Sequence, residues 1–253
     1  MTPERRSRLK GLTLALIGGL GLAASEAEAS FELTPIKATF TPVGSDAVRN
    51  FRIENTSDAP VAIEIRFLRI DNHVNGGEKR SPAEDLFLAF PPQTIVQPRA
   101  LQTVRVQWLG PAELEAERAY RMVVEQLPVD FAERQAEGGQ IRILLRYEAL
   151  VYVAPAGAAP DLALKSVRPV ETEEGVRLGV TVANRGRAHG GIDSPELRLT
   201  APDGTTVEIK GEAADMLGDG SILALQEREF LLPWPADLPV GPVQAELSFE
   251  VVG

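Results

Sequence analysis

His73 and His189 are the only imidazoles in the 253-residue chain, and there is no cysteine. Thiolate catalysis, disulfides and Cys-based zinc or iron–sulfur centres are therefore excluded. Two imidazoles are too few for a multi-histidine metal centre, so acid–base chemistry would fall to carboxylates. The remaining reactive groups do not assemble into a motif. His189-Gly190-Gly191 faintly resembles an oxyanion-hole loop, but no Gly-x-Ser-x-Gly elbow accompanies it. No His-Glu-x-x-His occurs either. Asp215, Asp219 and Gly220 lack the spacing of a calcium loop and read as a solvated turn. Asn55-Thr56-Ser57 has the pattern of a glycosylation sequon and reads as the turn after a strand. Whether carboxylates such as Glu32 or Asp71 pair with partners distant in the chain is a question for the structure. No catalytic residue, metal ligand or cofactor is expected. A net charge of −10 argues against sequence-independent nucleic-acid binding, which needs clustered Lys and Arg.

The chemistry left is that of recognition. Ile141, Ile143 and Leu145 alternate with Arg142, Leu144 and Arg146, and the run from Gln140 continues to Val153 without a breaker. At about 3.3 Å per residue such a strand would span roughly 46 Å, against about 5–6 residues for an ordinary strand. Periodicity leaves two readings open. The aliphatic row faces the domain's own core, or it belongs to an edge that accepts a strand from another protein. Left bare, such an edge would also favour self-association of the free chain.

The elements that position this strand read as β throughout. Alternating segments recur between turn signals at Val48–Asn55, Val61–Ile70, Leu86–Phe90, Thr94–Val96, Ala100–Trp108 and Ala119–Leu127. Only Pro111–Ala119 reads as a helical turn. The count matches an immunoglobulin-like sandwich over residues 30–154 with its long edge strand at 140–153. Pro155 to Pro160 forms a short proline-bounded linker. The pattern then restarts over 161–253, with strands expected at Leu162–Val167, Val176–Ala183, Glu196–Thr200, Thr206–Lys210, Ile222–Leu225, Glu229–Leu232 and Val243–Val251. Asp203-Gly204 reads as a hairpin turn. The halves resemble each other: Phe51–Asn55 matches Val180–Asn184, and Leu101–Val106 matches Leu225–Phe230, each of the latter leading towards a tryptophan, Trp108 or Trp234. Shared sandwich patterning and duplication both account for this. Ahead of the first strand, Arg5, Arg6, Arg8 and Lys10 precede the apolar run Gly11–Ala24 and the small-x-small site Ala27-Glu28-Ala29. This is the order of a cleavable secretory signal over residues 1–29. Its apolar run falls short of the roughly 20 residues of a membrane span. An exported periplasmic chain without membrane insertion is expected.

From Phe31 to Val252 the chain resembles the PapD-like periplasmic chaperones of the chaperone–usher pathway. The stretches that carry the resemblance are Pro35–Phe40, Phe51–Asn55, Thr103–Trp108 and, most specifically, Glu117–Pro128 with its Tyr120-Arg121 strand ending in Leu127-Pro128. The resemblance implies an all-β fold of two immunoglobulin-like sandwiches set as a boomerang. It implies pilus or fimbrial subunits as partners, stabilised by donation of an edge strand, and delivery to an outer-membrane usher. The donated row falls on Ile141, Ile143 and Leu145, and the basic anchor for a subunit's terminal carboxylate on Lys37. Leu150 stands where a second basic anchor is usual, with Arg142 and Arg146 sharing its parity. Glu117 falls on the acid of an interdomain ion pair, but Ala154 stands where its arginine is expected. A structural subunit or adhesin built of similar sandwiches is the alternative class.

Overall fold

The computed structural model describes residues 31–129, 143–218 and 220–253. The expected signal peptide, Ile141, Arg142 and Asp219 lie outside the described residues. Among the described residues sixteen strands carry the fold, and the helical residues are short 3₁₀ turns: β1 (Glu32–Thr34), β2 (Lys37–Phe40), β3 (Val48–Glu54), β4 (Val61–Asn72), β5 (Glu78–Pro82), β6 (Phe87–Phe90), β7 (Gln93–Val96), β8 (Leu101–Trp108), β9 (Arg118–Gln126), β10 (Arg146–Val153), β11 (Leu162–Thr172), β12 (Gly175–Asn184), β13 (Gly191–Thr200), β14 (Thr206–Ile209), β15 (Glu227–Pro233) and β16 (Gln244–Val252).

The first ten strands form two facing sheets, ordered β1-β3-β8-β6 and β2-β10-β9-β4-β5, with β7 also pairing β4. Strict alternation buries one row from each strand between them. Phe51 and Ile53, Val104 and Val106, Ile63 and Phe67, and Tyr120, Met122 and Val124 all enter one core. Phe87 sits at its aromatic centre, stacked on Phe67 at 4.4 Å and edge-on to Tyr120 at 4.9 Å and Trp108 at 5.1 Å. The last six strands form a second pair of sheets, β11-β12-β15 and β14-β13-β16, around a separate core that includes Val180, Val182, Leu199 and Phe230.

The likeness between the halves has a physical counterpart. Asn55, at the end of β3, is fully buried; its Nδ2 donates to the carbonyls of Ala59, Val96 and Gln97 at 2.8, 3.0 and 3.1 Å. Asn184, at the end of β12, donates to the carbonyls of Ala188 and Ile222 at 2.8 and 3.0 Å. Trp108 and Trp234 each donate an indole N–H to a carbonyl just downstream, that of Pro111 at 3.1 Å and Leu238 at 2.8 Å.

Three sequence expectations are corrected. Residues 111–117 form no helix: Glu117 N–H donates to the Arg187 carbonyl at 2.8 Å and the Glu115 carbonyl accepts Arg187 Nε at 2.5 Å, so this backbone bonds across to the second sandwich rather than into a turn of its own. Ile222–Leu225 is not a strand. It makes one bridge, Gly190 to Ile222, and Leu225 has a φ of 60°, which breaks extended pairing. Of the long strand expected at 140–153, the described residues 143–153 are laddered from Arg146. Its partner β9 ends at Gln126, and Pro128 has no N–H with which to extend the ladder.

Candidate strand-docking edge

β10 lies between two neighbours of unequal length. On one side β9 pairs with it antiparallel along its whole length, from Arg146 opposite Glu125 to Val153 opposite Arg118. On the other side β2 pairs with it in parallel, and only from Leu150, opposite Lys37, to Val153, opposite Phe40. The chain enters this edge at Ile36, whose carbonyl accepts the Leu150 N–H at 2.8 Å. Residues 143–149 therefore have no strand beside them on the β2 side among the described residues. Backbone groups alternate sides along a strand. Leu145 O accepts the Gln126 N–H at 2.9 Å, so odd-numbered residues bond towards β9. Arg146 and Glu148 consequently aim their N–H and C=O groups at the open side.

The apolar row is one continuous face with two environments. Ala149, Val151 and Val153 are fully buried in the first core, and Tyr147 and Leu145 pack against it half-buried. Ile143, next in the same row, is 61% exposed, and its neighbour Leu144 is 43% exposed. The row fills its own core at the far end of the strand and runs past that core at the near end.

The opposite face of β10 carries Arg146, Glu148, Leu150 and Tyr152. Arg146 pairs with Glu148 at 2.9 Å, and Glu148 with Arg80 of β5 at 3.0 Å. Arg80 also reaches Glu78 at 2.9 Å, and Glu78 closes on Arg121 of β9. Burial would push the Glu78 carboxyl up, but the hydrogen bonds and charges of Arg121 and Arg80 outweigh it and hold the group below its ordinary value. Leu150 has Lys37 as its partner on one side and Arg121 on the other. The sequence places no cation at Leu150 itself; Arg121, turned outward between buried Tyr120 and Met122 on the neighbouring strand, lies opposite it. Lys37 itself is exposed, and among the described residues no carboxylate lies within ion-pair distance of it. Its ammonium sits 5.5 Å from the centroid of the Tyr152 ring.

Below Lys37 the two sandwiches meet. Ile70, Ala119, Leu150, Tyr152 and Leu223 form a small apolar cluster there. The Glu117 side chain is 3% exposed, and its Oε1 accepts both the His189 backbone N–H at 3.0 Å and His189 Nδ1 at 2.7 Å. The carboxylate can only accept, so the imidazole proton lies on Nδ1. A histidine from the second sandwich thus faces Glu117, whereas family resemblance pointed to an arginine at position 154. His189 stacks on Tyr152 with centroids 3.8 Å apart and rings 3° from parallel. At the other end of the contact, Gln226 Oε1 accepts the Asn72 N–H at 2.6 Å, and the Glu229 N–H donates to Val74 O at 2.5 Å.

Residues 37–159 match the family model of the pili and flagellar-assembly chaperone, PapD N-terminal domain. A search of curated proteins finds no significant match. Among solved structures, a chain of the CsuC–CsuE chaperone–tip adhesion subunit pre-assembly complex, from the archaic chaperone–usher Csu pili of Acinetobacter baumannii, superposes with a TM-score of 0.58 at 15% identity, covering 88% of this chain and 97% of that one. The class 5 fimbriae chaperone CfaA gives 0.55 at 15% identity, covering 88% and 99%, and the E. coli chaperone DraB gives 0.51 at 16%, covering 85% and 87%. At these identities the likeness is one of fold.

Proposed function

We propose that this chain, a PapD-like chaperone whose first sandwich belongs to the PapD N-terminal domain family of pili and flagellar-assembly chaperones, holds pilus or fimbrial subunits by lending them the open edge of β10. The observation that carries this reading is where the edge ends. β2 closes it at Leu150, so a docked strand must stop there, beside Lys37. A strand running parallel to β10 would bring its C-terminal carboxylate to that lysine; an antiparallel one would bring its ammonium, which Lys37 repels. Lys37 therefore selects a parallel strand that ends in a free carboxylate, and Arg121 lies across Leu150 from it as a second cation.

Ile141, Ile143 and Leu145 are the row offered to a subunit that lacks its own last strand. Burying an exposed aliphatic side chain is worth about 1.5–3 kcal/mol, and Leu145, already half-buried, contributes less than Ile143. A charge-assisted bond at Lys37 adds about 1.5–3 kcal/mol and fixes register. Arg146, paired with Glu148 on the other face, lines the edge rather than the row. The alternative of a fibre subunit fits less well. A subunit awaiting a strand has a gap in a sheet, whereas β10 is in place between β9 and β2. The resemblance further supports export to the periplasm by the leader at residues 1–29, delivery of subunits to an outer-membrane usher, and no catalytic role. Co-expression with a small exported subunit encoded beside this gene tests the reading. Wild-type protein is expected to co-purify with the subunit, and Lys37→Ala to remain folded but lose it. Full recovery of complex from Lys37→Ala would remove Lys37 from the site.

A further inference from the structure

We infer that His189, on the second sandwich, is a positioning residue for the Lys37 anchor and acts on it through Tyr152. The inference rests on the reading that Lys37 takes the carboxylate of a docked strand.

A lysine head on a four-carbon stem is a poor anchor unless something limits where it goes. Among the described residues Lys37 has no carboxylate partner; the group that faces its ammonium is the Tyr152 ring, at 5.5 Å, within the range of a cation–π contact. That ring is itself held. His189 lies flat against it at 3.8 Å and 3°. The Tyr152 hydroxyl is 3.4 Å from Ser221 Oγ, and the ring is buried among Ile70, Ala119 and Leu223. His189 is fixed in turn at two atoms by the buried carboxylate of Glu117. A run of directional contacts therefore leads from Glu117 through His189 and Tyr152 to Lys37, crossing from the first sandwich to the second and back. Its consequence is that the second sandwich, which contributes nothing to the open edge, sets where the anchor's charge sits. Among the described residues Nε2 of His189 has no hydrogen-bond partner, so the directional contacts on the ring are its stack and its Nδ1 bond. His189 and Tyr152 touch neither the docked strand nor its carboxylate, which makes them positioning residues.

Two readouts separate this role from simple adhesion between the sandwiches. The first needs no ligand. In the wild-type protein the Lys37 Hε resonance is expected to be shifted upfield by the Tyr152 ring. Tyr152→Leu is expected to abolish that shift, His189→Gln, which keeps a donor for Glu117 but removes the flat ring, to reduce it, and His189→Phe to retain most of it. The second uses a peptide of alternating Val and Thr, made once with a free C-terminal carboxylate and once as the amide. Wild type is expected to prefer the acid. Loss of a cation–π contact is worth about two- to fivefold, so His189→Gln and Tyr152→Leu should lower the acid-over-amide ratio by that factor, while Lys37→Ala removes it. An unchanged Lys37 resonance and an unchanged ratio in His189→Gln would overturn the inference and leave the docking reading standing. Equal binding of acid and amide by the wild type would overturn the carboxylate reading, and this inference with it. Should His189→Gln loosen the contact between sandwiches, Tyr152→Leu, which keeps apolar packing against Ile70 and Leu223, decides: a wild-type ratio there also overturns the inference.

Discussion

Asn55 shows how much a single side chain can carry. Its amide satisfies three carbonyls from two loops, and its Oδ1 accepts the Ser57 N–H at 2.9 Å and the Ser57 hydroxyl at 2.7 Å, all in a fully buried position. Removing it leaves buried carbonyls without donors, so Asn55→Ala should destabilise the protein by about 2–4 kcal/mol, read from the shift of the urea midpoint. Such a residue is only half legible in sequence. The matching asparagines at the ends of Phe51–Asn55 and Val180–Asn184 mark equivalent positions, and the turn after each is visible. That their side chains plug loops from 40 residues away is not, because nothing local encodes which carbonyls come near. His189 was less legible still. Its neighbours Gly190 and Gly191 suggested a loop of another kind, and only the fold brings it to Glu117 and Tyr152.

At the scale of the strand, the docking role proposed for β10 comes from the mismatch between its neighbours: β9 accompanies it throughout and β2 only from Leu150. The alternation at 141–153 was readable because period two is a local property. The place where β2 arrives was not, since it depends on a pairing between residues more than a hundred apart in the chain. Two measurements belong here. Ile143→Asp changes an exposed side chain and should shift stability by less than about 0.5 kcal/mol, yet it should abolish subunit co-purification by placing a carboxylate in an apolar groove. A large fall in melting temperature would place Ile143 in the protein's own core. The charged face offers the second. Glu78 titrates below its ordinary value of 4.5 in the folded protein, so the stability it lends is present above that value and is lost as the pH falls through its lowered one. Glu78→Gln should therefore melt below wild type at neutral pH, and the gap should close on acidification. A gap that is constant with pH would mean that the Arg121 and Arg80 contacts do not persist in solution.

At the scale of the molecule, the fold class, the two sandwiches and the likeness of the first to the PapD N-terminal domain were all visible in the sequence, because alternation, turn residues and the Glu117–Pro128 stretch are local signals. The contact between the sandwiches was visible only in part. Glu117 stood out, but its partner is His189 on a loop of the second sandwich rather than a residue at position 154, just before the linker, and no spacing rule anticipates that. The same contact spreads to the tip of the β4–β5 hairpin, where Asn72 and Val74 bond to Gln226 and Glu229. Among the described residues, the stretch leading into β10 and its first half have no strand beside them on the β2 side, and that open stretch is the proposed docking edge. Residue-resolved amide hydrogen exchange, on the free chain and on its complex with a subunit, tests it directly. Tyr147 and Ala149 bond towards β9 and should be protected in both states. Arg146 and Glu148 point to the open side and should exchange fast in the free chain and slowly in the complex. Arg146 and Glu148 amides that stay fast in a stable complex would show that the subunit docks elsewhere.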